Sequence, residues 1–347
     1  MALINDPKTL AATSSARWNV LADCVLEGGK LSADEALAVL HSDDDELLGL
    51  LAAAYRVRRA AHGNRVHLNL LVNAKSGRCG EDCGYCSQSR GSKAQINKYP
   101  LLDDDELLAG AREATERGAG TYCIVTAGRG PLETELVRIE ETVRRIKREY
   151  RLRVCVSPGL LTPEQAKRLK AAGVNRINHN LNTSERFYQK ICTTHSYQDR
   201  VNTLQAVRAA GMEICCGGIV GMGEADEDVV ELALRLAEFE VDALPVNFWL
   251  PIKGTTLAEE TVPRPLDPRY CLKVLAMFRL TNPKTVLRMA AGREVHLGPL
   301  QPLGLYVADS MFVGDYLTTK GQPPKDDYAM IEALAFEVVE EGAEKEP

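Results

Sequence analysis

No membrane-length apolar run and no block of like charge interrupts this 347-residue chain. The longest apolar stretch near the N-terminus, Leu47 to Ala54, falls far short of the about 20 residues a spanning helix needs. Residues 1–20 lack the basic-then-apolar order of a secretory signal, so a cytoplasmic location is expected. With 42 Lys+Arg against 48 Asp+Glu, the net charge is −6, which argues against a nucleic-acid partner. Low-complexity segments and periods of about 20–50 residues are missing, so a solenoid is excluded. The first expected strand carries no glycine fingerprint for a dinucleotide. In a cytoplasmic chain, ten cysteines predict metal ligands or buried thiols rather than disulfides.

Three of those cysteines stand together in Cys79-Gly-Glu-Asp-Cys83-Gly-Tyr85-Cys86, and no fourth Cys or His follows nearby. Structural zinc takes four protein ligands, usually as two separated pairs. A fully protein-ligated cubane cluster also takes four thiolates. Three thiolates in one loop therefore point to an iron–sulfur cluster with one iron open to a small molecule. The other cysteines, Cys24, Cys123, Cys155, Cys192, Cys215, Cys216 and Cys271, are scattered, which rules out a zinc-finger array.

Residues 1–60 read as acidic amphipathic helices, around 32–40 and 45–60. Strand-like runs follow at Val66–Val72, Tyr122–Thr126, Arg153–Ser157, Arg176–Asn180, Glu213–Val220, Ala243–Leu250, Thr285–Met289 and Ser310–Val313, with helical stretches between them. Gly118, Gly173 and Gly211 sit where C-terminal caps belong, and Thr162-Pro163 reads as a helix start. Asp43–Glu46 and Asp103–Glu106 read as acidic helix starts favoured by the dipole. Eight strands alternating with helices predict an α/β fold, a (β/α)8 TIM-type barrel with an N-terminal helical extension. A doubly wound open sheet is the alternative. The expected division is an extension over 1–60, a barrel over 61–335 and an acidic tail over 336–347. Barrel chemistry sits at the C-terminal ends of strands, and the cysteine loop follows the first of them.

Cys123, Cys155, Cys215 and Arg288 fall in four different expected strands. Alternation places Cys215 on one face with Gly217 and Ile219, and turns Cys216 away. A single strand cysteine is usually a small buried hydrophobe. Three of them with an arginine can share one lumen, and the arginine then needs a buried partner. His179 is expected to point away from the lumen. No role is assigned to Cys192 or Cys216, and Cys24 and Cys271 are expected on helices.

The loop RCGEDCGYCSQS resembles the radical S-adenosylmethionine (SAM) superfamily. With TYCIVTAGRGP, RVCVSPGLL, INHNLNTS, CCGGIVGMGE, PVNFWL and LRMAAGREVHLG, the chain resembles the biotin synthase family from about residue 30 to 335. That resemblance implies a 4Fe–4S cluster on Cys79, Cys83 and Cys86 that binds SAM. It also implies an auxiliary cluster, usually 2Fe–2S, on Cys123, Cys155, Cys215 and Arg288. SAM would be held by Tyr85, Asn180, Asn182 and the pattern Gly217, Ile219, Gly221, Glu224. Asn180 and Asn247 would meet the substrate, dethiobiotin, with the Asn247 amide facing its cyclic urea. The implied reaction forms two C–S bonds, each opened by a SAM-derived radical, with no side-chain acid or base doing the hard step. The implied partners are a reducing electron-transfer protein, the iron–sulfur assembly machinery and a second copy of the chain in a homodimer. An iron–sulfur carrier without SAM chemistry is the rival reading; it would need no adenosine pocket.

Overall fold

The computed structural model describes residues 14–260 and 266–339. Eight parallel staves close into a barrel: β1 (Arg65–Lys75), β2 (Thr121–Thr126), β3 (Arg153–Ser157), β4 (Arg176–Asn178), a split stave of β5 (Glu213–Cys215) and β6 (Gly218–Val220), β7 (Ala243–Phe248), β8 (Val286–Met289) and β9 (Ser310–Phe312). The barrel shuts because β9 pairs with β1, His67 standing opposite Ser310 and Asn69 opposite Phe312. A tenth strand, β10 (Glu337–Val338), adds to the outer edge of β1 at Arg65 and Val66. The expected tail from 336 is therefore partly structured: its first residues pair with the barrel, and 340–347 lie outside the described residues.

The expected fifth strand is two pieces rather than one. Both keep the same register on β7, with Cys215 opposite Ala243 and Gly218 opposite Val246. The break is local, at Cys216-Gly217, where the backbone turns toward the β4 end: Asn182 N–H donates to the Gly217 carbonyl (3.1 Å) and Ile219 N–H to the Asn182 carbonyl (2.8 Å). Asn182 adopts φ 71°, a left-handed conformation that Asn tolerates better than most side chains. Gly217 is obligatory, since a Cβ there would stand 1.9 Å from the Pro245 carbonyl oxygen.

The helices form where the caps were expected. Asp103 caps the helix Asp104–Glu116 with Glu106 reaching back, and Thr162 with Gln165 does the same for Pro163–Ala172. Gly173 ends that helix at φ 100°. Asp43–Glu46 instead opens a single 3-10 turn before Leu47–His62. Ser14–Leu26 packs on Leu47–His62, Leu47–His62 and Ala33–Leu40 both pack on Pro268–Thr281, and Ala33–Leu40 also packs on Asp226–Glu238. Buried Trp18, Leu50, Leu272 and Phe278 belong to the core that joins them to the barrel. No described helix is long and apolar enough to cross a membrane.

Candidate functional site

The residue spacing that makes Cys79, Cys83 and Cys86 a motif also makes them a rigid loop. Cys86 N–H donates to the Cys83 carbonyl (3.0 Å), and Gly77 N–H to the Gln88 side-chain oxygen (3.0 Å). The loop is stitched to the segment after the helix Glu185–Ile191. Gly84 N–H donates to the Ile191 carbonyl (2.8 Å), and Asp82 accepts from the amides of Thr193 (2.9 Å) and Thr194 (3.2 Å). Burial pushes the Asp82 carboxyl up, but these hydrogen bonds outweigh it and hold the group well below the usual carboxylate range. All three loop cysteines border a cavity of about 390 Å³ at the C-terminal mouth of the barrel. Burial raises the Cys79 thiol and pushes that of Cys86 up to about 11. Ligation by a metal would displace those protons.

Deeper in the same barrel, register does what spacing does for the loop. Cys123 stands opposite Cys155 across β2 and β3, and Asn178 opposite Cys215 across β4 and β5. The three thiols and Arg288 are all buried. A hydrogen bond between Cys155 and Cys123 holds the Cys123 thiol low and its donor high. Arg288 points one Nη at the Cys215 sulfur (3.7 Å); its other contacts are Asn69 Oδ1 (2.8 Å), Ser310 Oγ (3.0 Å) and the Phe312 ring (4.9 Å). Its partners are neutral, and no carboxylate pairs with it among the described residues. That donor set fits an anionic iron–sulfur cluster, which would supply the missing charge to a guanidinium already desolvated. Cys216 faces the other way, its sulfur accepting from Leu181 N–H (3.3 Å) within the hydrophobic core.

Between the two thiol sets, polar groups cluster at the end of β4. Asn180 Oδ1 accepts from Gly217 N–H (3.0 Å), and Asn182 Nδ2 donates to the Tyr85 hydroxyl (2.7 Å). Tyr85, Asn180, Asn182, Ile219 and Asn247 all border the cavity, as do Cys123, Cys155 and Arg288. Gly217 lies behind that wall, and Gly221 and Glu224 lie outside it. Glu224 folds back so that Gly221 N–H donates to it, leaving its other oxygen buried without a hydrogen-bond partner among the described residues. Asn247 already donates to the Gly218 carbonyl (3.0 Å) and accepts from Ala291 N–H (3.2 Å). Each half of its amide keeps one further hydrogen-bonding valence for a ligand.

His179 is buried, as a packed histidine should be, yet it borders the cavity and its Nε2 has no hydrogen-bond partner among the described residues. Sequence reasoning did not single out Asn178, whose Nδ2 reaches Cys215 Sγ (3.2 Å) and Asn180 Oδ1 (3.3 Å). The signal was present, because Asn178 and Asn180 share a face at i, i+2. It also left Cys192 idle, although its sulfur lies 3.7 Å from that of Cys83.

Comparison with known proteins agrees with this geometry. Residues 74–236 match the Radical SAM superfamily, and residues 245–337 match the Biotin and Thiamin Synthesis associated domain. A biotin synthase of Lysinibacillus sphaericus is 54% identical over 321 residues, covering 92% of this chain and 96% of that protein. Those of Rhodopirellula baltica and Bacillus subtilis are 53% and 50% identical, covering 92% and 93% of this chain and 89% and 95% of theirs. The barrel is also similar to crystal structures of methylornithine synthase (TM-score 0.76, 21% identity, 92% of this chain and 97% of that one) and the hydrogenase maturase HydG (TM-score 0.78, 16% identity, 96% and 78%). At such identities these two speak for the fold alone. Radical SAM membership implies a 4Fe–4S cluster and SAM, and the identity to curated relatives along nearly the whole length shows that the chain belongs to the biotin synthase family.

Proposed function

We propose that this chain converts dethiobiotin to biotin by radical SAM sulfur insertion. In this reading Cys79, Cys83 and Cys86 hold the 4Fe–4S cluster, and Cys123, Cys155, Cys215 and Arg288 surround an auxiliary 2Fe–2S cluster. One observation carries the proposal: a single cavity is bordered by the loop thiols at its mouth and by Cys123, Cys155 and Arg288 at its depth. When bound, the clusters supply an electron to the SAM sulfonium and a sulfide to the product.

The chain's own residues bind, orient and exclude water. Tyr85 and Asn182 brace one another beside the loop, and Asn180, pinned by Gly217 N–H, offers its amide to the ligand between the two thiol sets. Asn247 presents a donor and an acceptor together, which suits a cyclic urea. Leu71, Val125, Leu160, Pro245 and Trp249 line the rest of the wall and keep a radical away from solvent. Arg288 is fixed by Asn69 and Ser310, so its uncompensated charge faces Cys215 and whatever anion lies beside it.

The same reading includes a reducing electron-transfer protein, repair by the iron–sulfur assembly machinery, a homodimer and a cytoplasmic location, all supported by family membership. It also keeps the helical extension over 1–60 as a segment preceding the barrel, supported by the start of β1 at Arg65. The test is an anaerobic reaction of reconstituted protein with SAM, a low-potential reductant and dethiobiotin, the auxiliary cluster carrying labelled sulfide. Biotin with label in its ring is expected. Protein that cleaves SAM yet never takes hydrogen from dethiobiotin would overturn the substrate.

A further inference from the structure

Cys83 has a second neighbourhood that the reaction does not use. Its sulfur lies 3.7 Å from Cys192 Sγ, and Cys192 Sγ lies 3.3 Å from His195 Nδ1. The three ligand atoms fall within 4.8 Å of one another, and all three residues are buried. Around zinc, bonds of about 2.3 Å to sulfur and about 2.0–2.1 Å to nitrogen give tetrahedral edges of about 3.8 Å between sulfurs and about 3.6 Å between sulfur and nitrogen. The observed separations match those edges to within a few tenths of an ångström along the Cys83–Cys192–His195 path. Neither Cys79 nor Cys86 belongs to this group, though both share the loop.

The surroundings are built for a ligand. His195 Nε2 meets the Tyr188 hydroxyl at 2.9 Å, and Arg200 also donates to that oxygen, which fixes the orientation of the ring. A Glu81 carboxylate oxygen already sits against Nδ1 and accepts from Thr194 Oγ1 at 2.7 Å. The two segments involved are held together by backbone bonds, Gly84 to Ile191 among them.

We propose that in the cluster-free chain Cys83, Cys192 and His195 bind one divalent cation of the zinc class, with water completing the tetrahedron. Binding displaces the two thiol protons and the proton between His195 and Glu81, with no change in oxidation state. Because Cys83 serves both sites, zinc and the 4Fe–4S cluster exclude one another. The ion is thus a competitor that any assembly of the cluster must displace.

The test uses the full chain stripped of clusters and titrated anaerobically with Co²⁺, so it needs neither SAM nor dethiobiotin, and its failure is separable from that of the proposed reaction. One equivalent of tetrahedral cobalt with two thiolate ligands is expected in the absorption spectrum, displaced by Zn²⁺. The band should be lost in Cys192→Ala and His195→Ala and kept in Cys79→Ala and Cys86→Ala. Cys192→Ser, closer in volume, guards against a folding defect and should lose one thiolate's share of the charge-transfer intensity. Zn²⁺ added first should block the 4Fe–4S absorption from developing in the parent chain but not in Cys192→Ser. A tetrahedral band that survives Cys192→Ala and vanishes in Cys86→Ala would overturn the site, as would the absence of any tetrahedral band.

Discussion

The two thiol sets are assembled by opposite routes around one cavity, which Cys123 and Cys155 of the deep set border directly. Cys79, Cys83 and Cys86 lie on one loop whose shape is set by its own turns and by hydrogen bonds from Gln88, Asp82 and the Thr193–Thr194 backbone. Cys123, Cys155 and Cys215 lie on three staves and meet only because the ladders hold Cys123 opposite Cys155 and Asn178 opposite Cys215. The first set survives as long as the loop is clamped. The second exists only once the barrel has closed, because a slip of one residue on any stave would turn its cysteine out of the lumen. A motif can carry the first; only a fold can carry the second.

The largest effect should come from crossing the two sets. Cys83→Ala is expected to abolish reductive SAM cleavage while leaving the auxiliary absorption largely intact. Cys215→Ala should do the reverse, cleaving SAM but forming no biotin. Anaerobic assays of 5′-deoxyadenosine and biotin, with spectra of both variants, check this. If either variant lost both activities and both spectra together, the sets would not be independent and the comparison would fail.

A smaller effect separates the support of the deep set from that of the loop. Asn69 accepts from Arg288 at 2.8 Å and donates to Ser310 Oγ at 2.9 Å. Asn69→Ala leaves a buried guanidinium N–H without its acceptor, a cost of about 1–3 kcal/mol. Chemical denaturation of the cluster-free chain should show that loss. The auxiliary spectrum should change or bleach faster, and the SAM-dependent cluster should not respond. A loop cluster disturbed as strongly as the deep one would show that Asn69 acts through the whole barrel.

Much of this was legible beforehand, for physical reasons that also mark where legibility ends. The eight staves were visible because each is a short apolar run between capped helices, and Thr162, Asp103 and Gly173 cap where their chemistry requires. The break at Cys216-Gly217 was not, since it depends on Asn182 supplying a carbonyl and accepting a left-handed φ beside the stave. The neutral groups that hold Arg288, Asn69 on β1 and Ser310 on β9, are linked by no local pattern. Cys192 was left without a role because its meaning comes from Cys83, more than a hundred residues earlier in the chain.

The smallest effect tests the phase of the split stave. Cys215 and Cys216 are adjacent and both fully buried, so burial cannot tell them apart. Direction can: Cys215 Sγ meets Arg288 and Asn178 in the lumen, and Cys216 Sγ accepts from the Leu181 amide on the helix side. Cys216→Ala removes one sulfur from a packed core and one weak acceptor, a cost of about 1–2 kcal/mol with no ligand lost. The denaturation midpoint should fall modestly, while both cluster spectra and biotin yield stay near those of the parent. Biotin formation lost in Cys216→Ala and retained in Cys215→Ala would mean that the stave presents its other face to the cluster. The interruption at Gly217 would then be a shift of register, and the deep set would need a different third thiolate.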